Sequence, residues 1–160
     1  MSASSFQAQI QWRWIAFNDL SVEQMDQMYR LRQQVFVVEQ NCPYIDADGK
    51  DVEAIHCLGF KGNELVATLR FFPRFAEFNN YASIGRVCSA ESVRGTGVGR
   101  ELMQQALAYA DKNYAEQKIQ IGAQSYLVKF YQSFGFAVIG EEYLEDDIPH
   151  KHMLRDLQFS

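Results

Sequence analysis

The sequence predicts an α/β domain in which a mixed central sheet packs against helices. Segments with the alternation of strands and segments with helical spacing follow each other in the order β-α-β-β-β-α-β-α-β-β. Because several strands follow one another without a helix between them, this order excludes the steady βαβαβ of a doubly wound fold. The 160 residues fit one domain, residues 1–160, and a hydrophobic content of 48% argues against disorder.

A strand and a long helix open the chain. Residues 10–17 alternate well enough for a strand, and Ser21 and Gln24 have the spacing of a capping box that begins a helix. The helix is expected to fray before Pro43. Its predicted buried side carries Val22, Met25, Tyr29, Val35 and Phe36.

Three strands and the second helix come next. After a polar loop, residues 55–60 and 64–72 are predicted as strands joined by a hairpin turn, Lys61-Gly62-Asn63. Residues 81–90 form another predicted strand, which leads into a glycine-rich stretch and a helix. The buried stripe of that helix is Val98, Leu102, Ala106, Ala110 and Tyr114, backed by Met103 and Leu107.

The last third of the chain supplies a third helix and three strands. Residues 125–134 are predicted as a helix that Gly135 ends, since glycine is the usual residue just past a helix C-terminus. The strands are predicted at residues 118–123, 136–143 and 150–157.

Charge and cysteine usage exclude several classes of protein. A net charge of −5 argues against a broad basic surface for nucleic acid. We expect no membrane span and no signal peptide, because no apolar run approaches about 18 residues and the N-terminus lacks a basic start with an apolar core. Cys42, Cys57 and Cys88 are odd in number and contain no CxxC pair, which favours reduced thiols in a cytoplasmic protein.

Two patterns have features of metal sites. The stretch DADGKD resembles a calcium loop, but placing Gly49 at loop position 6 puts Tyr44 and Ile55 at the two terminal ligand positions, where both fail. His150 and His152 alternate as on one strand face, and the sequence places no third ligand beside them. We therefore predict no metal.

The stretch RGTGVGRELM, residues 94–103, predicts an anion site. A strand that runs into a glycine-rich turn and then a helix presents backbone N–H groups and the positive end of the helix dipole. A P-loop is excluded, because Gly99 is followed by Arg100-Glu101 rather than Lys-Ser/Thr. The dinucleotide-binding fingerprint G-x-G-x-x-G does not match either, because Gly95, Gly97 and Gly99 give G-x-G-x-G, which is one residue short. A plain helix start with a flexible turn is the remaining structural alternative.

The pattern Arg94-x-x-Gly97-x-Gly99 resembles the pyrophosphate loop of the GCN5-related N-acetyltransferases (GNAT). The stretch FYQSFGF resembles the helix-to-strand corner where this superfamily often places a tyrosine beside the coenzyme thioether. Together with LRQQVFVVEQNCPY, DADGKD, GRVCSA and EDDIPHKHM, these motifs are similar to the ElaA-like branch over residues 31–153. The resemblance implies a mostly antiparallel sheet with helices on both faces and a splayed strand pair that holds the coenzyme.

The resemblance also implies which residues bind acetyl-CoA. Backbone amides of the glycine stretch would hold the pyrophosphate, and the side chains of Arg94 and Arg100 are either further phosphate contacts or solvated charges. The end of the preceding strand would bond the pantetheine arm through Val87 and Ser89, and the Val87 amide would polarise the thioester carbonyl. The full set of coenzyme-binding residues is Val87, Cys88, Ser89, Arg94, Gly95, Thr96, Gly97, Val98, Gly99, Arg100 and Phe130. Cys88 is expected as a small buried residue and not as a nucleophile.

The sequence offers several alternatives for the residues that transfer protons. Tyr131 is either a core aromatic or the general acid, since a phenol within reach can protonate a leaving thiolate. Glu39 and His150 are alternative bases, and a chain of water molecules could replace both. Arg32 lies seven residues before Glu39, so an intact helix would put both on one inward face as a pocket wall or a structural ion pair. Gln124 would orient the acceptor or a water.

The sequence thus predicts direct transfer of an acetyl group from acetyl-CoA to a primary amine of unknown identity, small or peptidic. The alternative is a non-catalytic acyl-CoA-binding sensor. Autoinducer synthases share the general architecture, but their characteristic residues are not evident here. Both a monomer and a homodimer remain open.

Overall fold

The structure, a computed structural model, describes residues 9–158 and contains the ten predicted helices and strands in the predicted order. They are β1 (Gln11–Ala16), α1 (Val22–Gln33), β2 (Ile55–Lys61), β3 (Glu64–Phe75), β4 (Tyr81–Ser89), α2 (Val98–Asn113), β5 (Ile119–Gln124), α3 (Val128–Gln132), β6 (Ala137–Glu145) and β7 (Ile148–Arg155). Within this range no helix combines the length and apolarity that a bilayer crossing requires.

The strands form one seven-stranded sheet in the order β1-β2-β3-β4-β5-β7-β6. Neighbouring strands are antiparallel except β4 and β5, which run parallel. These two strands pair only where they begin, Ala82 with Ile119 and Ser83 with Gln120. Beyond Ser83 they separate, so the predicted mixed sheet with a splayed strand pair is confirmed.

Helices cover both faces of the sheet, as predicted. On one face, α2 and α3 pack on the central strands around Leu69, Phe71 and Ile121. On the other face, α1 packs on β2, β3 and β4, with Met28 and Leu31 as its buried apolar side chains. Burying apolar surface on both faces is the main stabilising contribution to this arrangement.

Local signals in the sequence set several helix ends. Ser21 accepts a hydrogen bond from the Gln24 amide at 3.0 Å and the Gln24 side chain accepts one from the Ser21 amide at 2.9 Å, so the predicted capping box forms. Gly135 has φ +91°, the left-handed conformation expected just past a helix. The predicted buried stripe of α2 is confirmed for Val98, Leu102, Met103, Ala106 and Ala110.

Other boundaries differ from the prediction. Val22 is 87% exposed, because it is the first residue of α1 and the buried side begins only at Met28. The helix ends before Pro43 as expected, but its last part, Gln34–Glu39, is a π-helix. β3 runs past Phe72 to Phe75, and the third helix is split into a 3₁₀ turn, Ser125–Leu127, and the short α3.

Candidate active site

The glycine stretch forms a bare backbone turn in front of α2. Gly95 has φ +79° and Gly97 has φ +91°, and a Cβ added at either position would meet no atom within 4 Å. α2 begins at Val98, and no side chain caps it. The amides of its first turn have no partner inside the helix, and the dipole adds positive potential there. The turn therefore has the space and the donors to hold a pyrophosphate.

The two arginines of this stretch are engaged in different ways. Arg94 donates to the Ser89 carbonyl oxygen at 2.9 Å and forms an ion pair with Glu39 at 2.6 Å. Arg100 lies over the ring of Phe134, 4.8 Å from its centroid, and approaches the Ser133 hydroxyl at 3.4 Å. Both arginines flank the turn in the chain, and both have contacts within the protein.

A β-bulge lies where β4 separates from β5. Thr68 pairs with Cys88 but Arg70 pairs with Gly85, so Arg86 and Val87 stand together opposite one residue of β3. Arg86 has φ +49°, the left-handed conformation that side chains rarely adopt. A bulge re-aims the backbone that follows it, here at Val87 beside the open splay.

A cavity of about 620 Å³ opens at this splay. It is lined by four of the predicted site residues, Val87, Gln124, Tyr131 and His150. Tyr131 is 7% exposed, and burial raises the pKa of its hydroxyl well above the usual range, so the phenol stays protonated at neutral pH. Phe130 packs edge-on against Tyr131, with ring centroids 5.2 Å apart, and does not line this cavity.

Polar contacts orient His150 and Gln124 at the cavity wall. The Nδ1 atom of His150 lies 2.7 Å from the Ile148 carbonyl oxygen, and its Nε2 lies 3.3 Å from the Glu145 carboxylate. Gln124 stands opposite His150 in the β5–β7 register and donates to the Gln40 side chain at 3.2 Å. When Nδ1 donates to the carbonyl, the Nε2 atom is the one that faces the Glu145 carboxylate.

Ser89 and Cys88 lie at the end of β4. Ser89 pairs with Ala67 of β3, and its carbonyl oxygen anchors Arg94. Cys88 is 6% exposed, as expected of a small buried residue, and burial raises the pKa of its thiol to about 12. A thiol with that pKa is protonated at neutral pH, which disfavours it as a nucleophile.

The expectation that Arg32 and Glu39 share one inward face is wrong. Arg32 is 1% exposed and bound to aspartates, whereas Glu39 is exposed and pairs with Arg94. Glu39 is the last residue of the π-helix, whose wider turn breaks the seven-residue spacing of an α-helix. Neither side chain lines the 620 Å³ cavity.

A buried ion network, missed from the sequence, fixes the loop before β2. Three arginines from α1, β3 and β4 bind the three aspartates of DADGKD. The nitrogen–oxygen distances are 2.8 Å for Arg32–Asp46 and Arg32–Asp51, 2.8 Å for Arg70–Asp48, 3.0 Å for Arg70–Asp51 and 2.9 Å for Arg86–Asp46. Burial by itself raises the pKa of Asp48 and Asp51, but the arginines outweigh it and hold each pKa below its usual range.

The network explains what DADGKD is for. Its carboxylates neutralise buried arginines, and the loop that they anchor forms one wall of the cavity through Tyr44, Ile45 and Asp48. The sequence contains an indication of this network, because Arg70 and Arg86 interrupt largely apolar strands. An arginine that is buried in a strand needs a carboxylate partner. Among residues 9–158, no group of three or more His, Cys, Asp or Glu side chains is placed to hold a metal ion.

Comparisons with known proteins agree on one family. Residues 71–157 match the acetyltransferase (GNAT) domain. Protein ElaA of Escherichia coli is 42% identical over 92% of this chain and 97% of its own, and its crystal structure superposes with a TM-score of 0.85 over 92% of this chain and 99% of the other. An acyl-CoA N-acyltransferase from Pseudomonas aeruginosa is 36% identical, with a TM-score of 0.86 over 92% of this chain and 99% of its own.

Proposed function

Because this chain belongs to the GNAT acetyltransferase family and to its ElaA-like branch, we propose that it transfers an acetyl group from acetyl-CoA directly to a primary amine. Acyl-CoA use is a property of the family. The acetyl group, the direct transfer and the primary amine are more specific than the family membership, and we propose them for this chain.

The separation of β4 and β5 is the observation that carries the proposal. The cavity at this separation is lined by Tyr131 and His150, and the glycine turn that suits a pyrophosphate follows β4 in the chain. An extended pantetheine arm fits an unpaired strand edge, because its amides can replace the missing strand partner. The thioester would then lie near the bulge at Val87.

The chemistry forms an N–C bond and breaks a C–S bond. The Val87 amide would donate a hydrogen bond to the thioester oxygen as negative charge develops there. The departing thiolate takes a proton, which the protonated Tyr131 can supply. Gln124, fixed by Gln40, would orient the incoming amine.

The amine must also lose a proton. His150 supports this role better than Glu39, because His150 lines the cavity and has a free Nε2 beside the Glu145 carboxylate when Nδ1 donates to Ile148. Glu39 is held in its ion pair with Arg94. Glu145 would stabilise the imidazolium that forms.

Calorimetric titration with acetyl-CoA, and with NADH as the control dinucleotide, tests the first half of the proposal. Micromolar binding of acetyl-CoA without binding of NADH is expected. Release of CoA thiol in the presence of a library of primary amines, with mass detection of the acetylated amine, tests the second half. Binding without release of thiol would support the acyl-CoA sensor instead, and no binding would overturn the proposal.

A further inference from the structure

A continuous arc of aromatic rings lines the cavity beyond the splay. Each ring contacts the next, and all six line the cavity. In order, the centroid distances are 4.7 Å for Phe72–Phe75, 5.0 Å for Phe75–Phe78, 5.3 Å for Phe78–His152, 4.3 Å for His152–Tyr143 and 5.7 Å for Tyr143–His150. The arc starts on β3 and ends at His150, beside the residues proposed for proton transfer.

The arc lies on the face of the sheet that α1 covers only in part. Arg70 and Phe72 line the cavity, whereas Leu69 and Phe71 pack in the core on the opposite face. Gly122 leaves room for the arc, because a Cβ there would come within 2.6 Å of the Tyr143 hydroxyl. This part of the sheet thus offers a cavity wall of aromatic faces and edges, and the same cavity is lined by Val87 and Tyr131.

Charges at the two ends of the arc are unequal. At the Phe75 end, Glu77 is neutralised by Lys50 at 2.6 Å. At the His150 end, Glu145 and Asp146 line the cavity, and Glu145 is 58% exposed. The end next to the proposed reacting groups is therefore negative, which suits an incoming ammonium ion.

His152 adds a polar position in the middle of the arc. Its Nδ1 atom is buried without a hydrogen-bond partner among the described residues. Burial lowers the pKa of this imidazole, so the ring is neutral near pH 7. A buried polar atom of this kind is satisfied when a ligand brings a hydroxyl or an N–H to it.

We propose that the acceptor is a primary arylalkylamine, whose ring lies on this aromatic arc while its ammonium group enters at Glu145 and Asp146. The inference rests on the proposed function and names the substrate class of that same site. Ring stacking against the arc binds the body of the acceptor, and the acidic end points its nitrogen toward the reacting groups.

The acyl chain of a longer acyl-CoA is the competing occupant of the arc. An acyl chain carries no positive charge to match Glu145 and Asp146. It also brings no polar atom to the Nδ1 of His152. An arylalkylamine matches the acidic end, and a hydroxyl on its ring supplies a polar group that an acyl chain lacks.

Ligand-observed NMR on the wild-type protein with CoA present tests the binding step without turnover. The probes are 2-phenylethylamine, its 4-hydroxy derivative tyramine, and 1,4-diaminobutane. Both aryl amines are expected to bind about tenfold more tightly than the diamine, a difference that corresponds to about 1.4 kcal/mol. Equal or weaker binding of the aryl amines would overturn the inference.

Turnover of the same probes by Phe78→Leu tests the arc itself. The variant removes a ring that touches Phe75 and His152 but keeps an apolar side chain. Phe60→Leu is the matched control, because Phe60 is partly buried on β2 and does not line this cavity. We expect kcat/KM for tyramine to fall about tenfold in Phe78→Leu, with KM for acetyl-CoA unchanged and Phe60→Leu like wild type.

The outcomes separate the two proposals. If Phe78→Leu lowers turnover of tyramine and 1,4-diaminobutane equally, or alters only the preference for acetyl-CoA over hexanoyl-CoA, the arc does not bind the acceptor. If that variant does not fold, Phe75→Leu and the wild-type NMR comparison give the same decision. If aryl amines bind but are never acetylated, the proposed function fails and the binding site stands.

Discussion

The carboxylate of Glu39 lies 2.6 Å from the guanidinium of Arg94, so the end of the π-helix is tied to the glycine turn before α2. This pair offers a direct choice between two roles for Glu39. If Glu39 is the general base, its loss removes a proton-transfer step. If Glu39 is only the ion-pair partner of Arg94, its loss changes how readily that arginine contacts a phosphate.

We expect Glu39→Gln to keep kcat within about threefold of wild type and to lower KM for acetyl-CoA by about threefold, because it releases Arg94 from a half-exposed ion pair. Steady-state kinetics at varied acetyl-CoA measure both constants. A hundredfold loss of kcat, about what a lost general base costs, would instead make Glu39 the base.

Gly97→Ala should weaken acetyl-CoA binding about tenfold, because the added Cβ enters the space in front of α2 and strains a residue at φ +91°. Gly62→Ala is the control, since Gly62 has φ +64° and open space in the β2–β3 turn. Calorimetry should give unchanged coenzyme affinity for the control, although both variants lose about 1 kcal/mol of unfolding free energy. Equal coenzyme affinity in the two variants would contradict the pyrophosphate turn.

Tyr131→Phe should lower kcat about a hundredfold with the Kd for CoA unchanged, because it removes the proton donor and keeps the ring. Tyr126→Phe makes the same change on a side chain that is 74% exposed, and it should behave as wild type. Stopped-flow thiol release and equilibrium titration measure the two quantities. Full activity in Tyr131→Phe would exclude Tyr131 as the acid.

Arg32→Met should reduce the free energy of unfolding by about 3–5 kcal/mol, because Asp46 and Asp51 lose a partner while they stay buried. Arg30→Met, on the same helix, removes an exposed pair with Asp26 at 3.8 Å and should cost less than about 0.5 kcal/mol. Urea denaturation measures both. Similar losses would mean that the network contributes little to stability.

The unfolding free energy should fall as the pH drops from about 7 to about 5. His56 is 1% exposed, and burial lowers its pKa in the folded state. The unfolded chain, with a histidine pKa near 6.5, then binds more protons than the folded one. The contribution of His56 to the unfolding free energy is therefore complete above about pH 6.5 and is lost below it. His56→Gln should reduce the dependence of the unfolding free energy on pH. We expect the remaining dependence to come from His152, whose pKa is also lowered. An unchanged slope in His56→Gln would contradict the assignment.

Sequence reasoning succeeded where the deciding interactions are local. The capping box at Ser21, the turn at Gly62 and the helix end at Gly135 depend on backbone preferences within a few residues. The glycine turn before α2 belongs to the same class, since a positive φ and bare amides follow from the residues themselves. The prediction of a coenzyme site at this turn depends on those local features.

Sequence reasoning failed where distant segments choose their partners. Arg32 was paired with Glu39 by helical spacing, but a π-helix changed the register and a loop more than ten residues away supplied its aspartates. The aromatic arc likewise joins β3, the 3₁₀ turn after it, β6 and β7, and no local pattern marks Phe78 as a neighbour of His152.

The order of the elements, the mixed sheet, the glycine turn and the family can all be predicted from the amino-acid sequence. The folded chain is needed to see which charges are buried together, where β4 parts from β5, and which rings share one cavity wall. The physical reason is that backbone preferences act within a few residues, whereas side-chain pairing in a sheet joins residues far apart in the chain and is selected by burial of the whole.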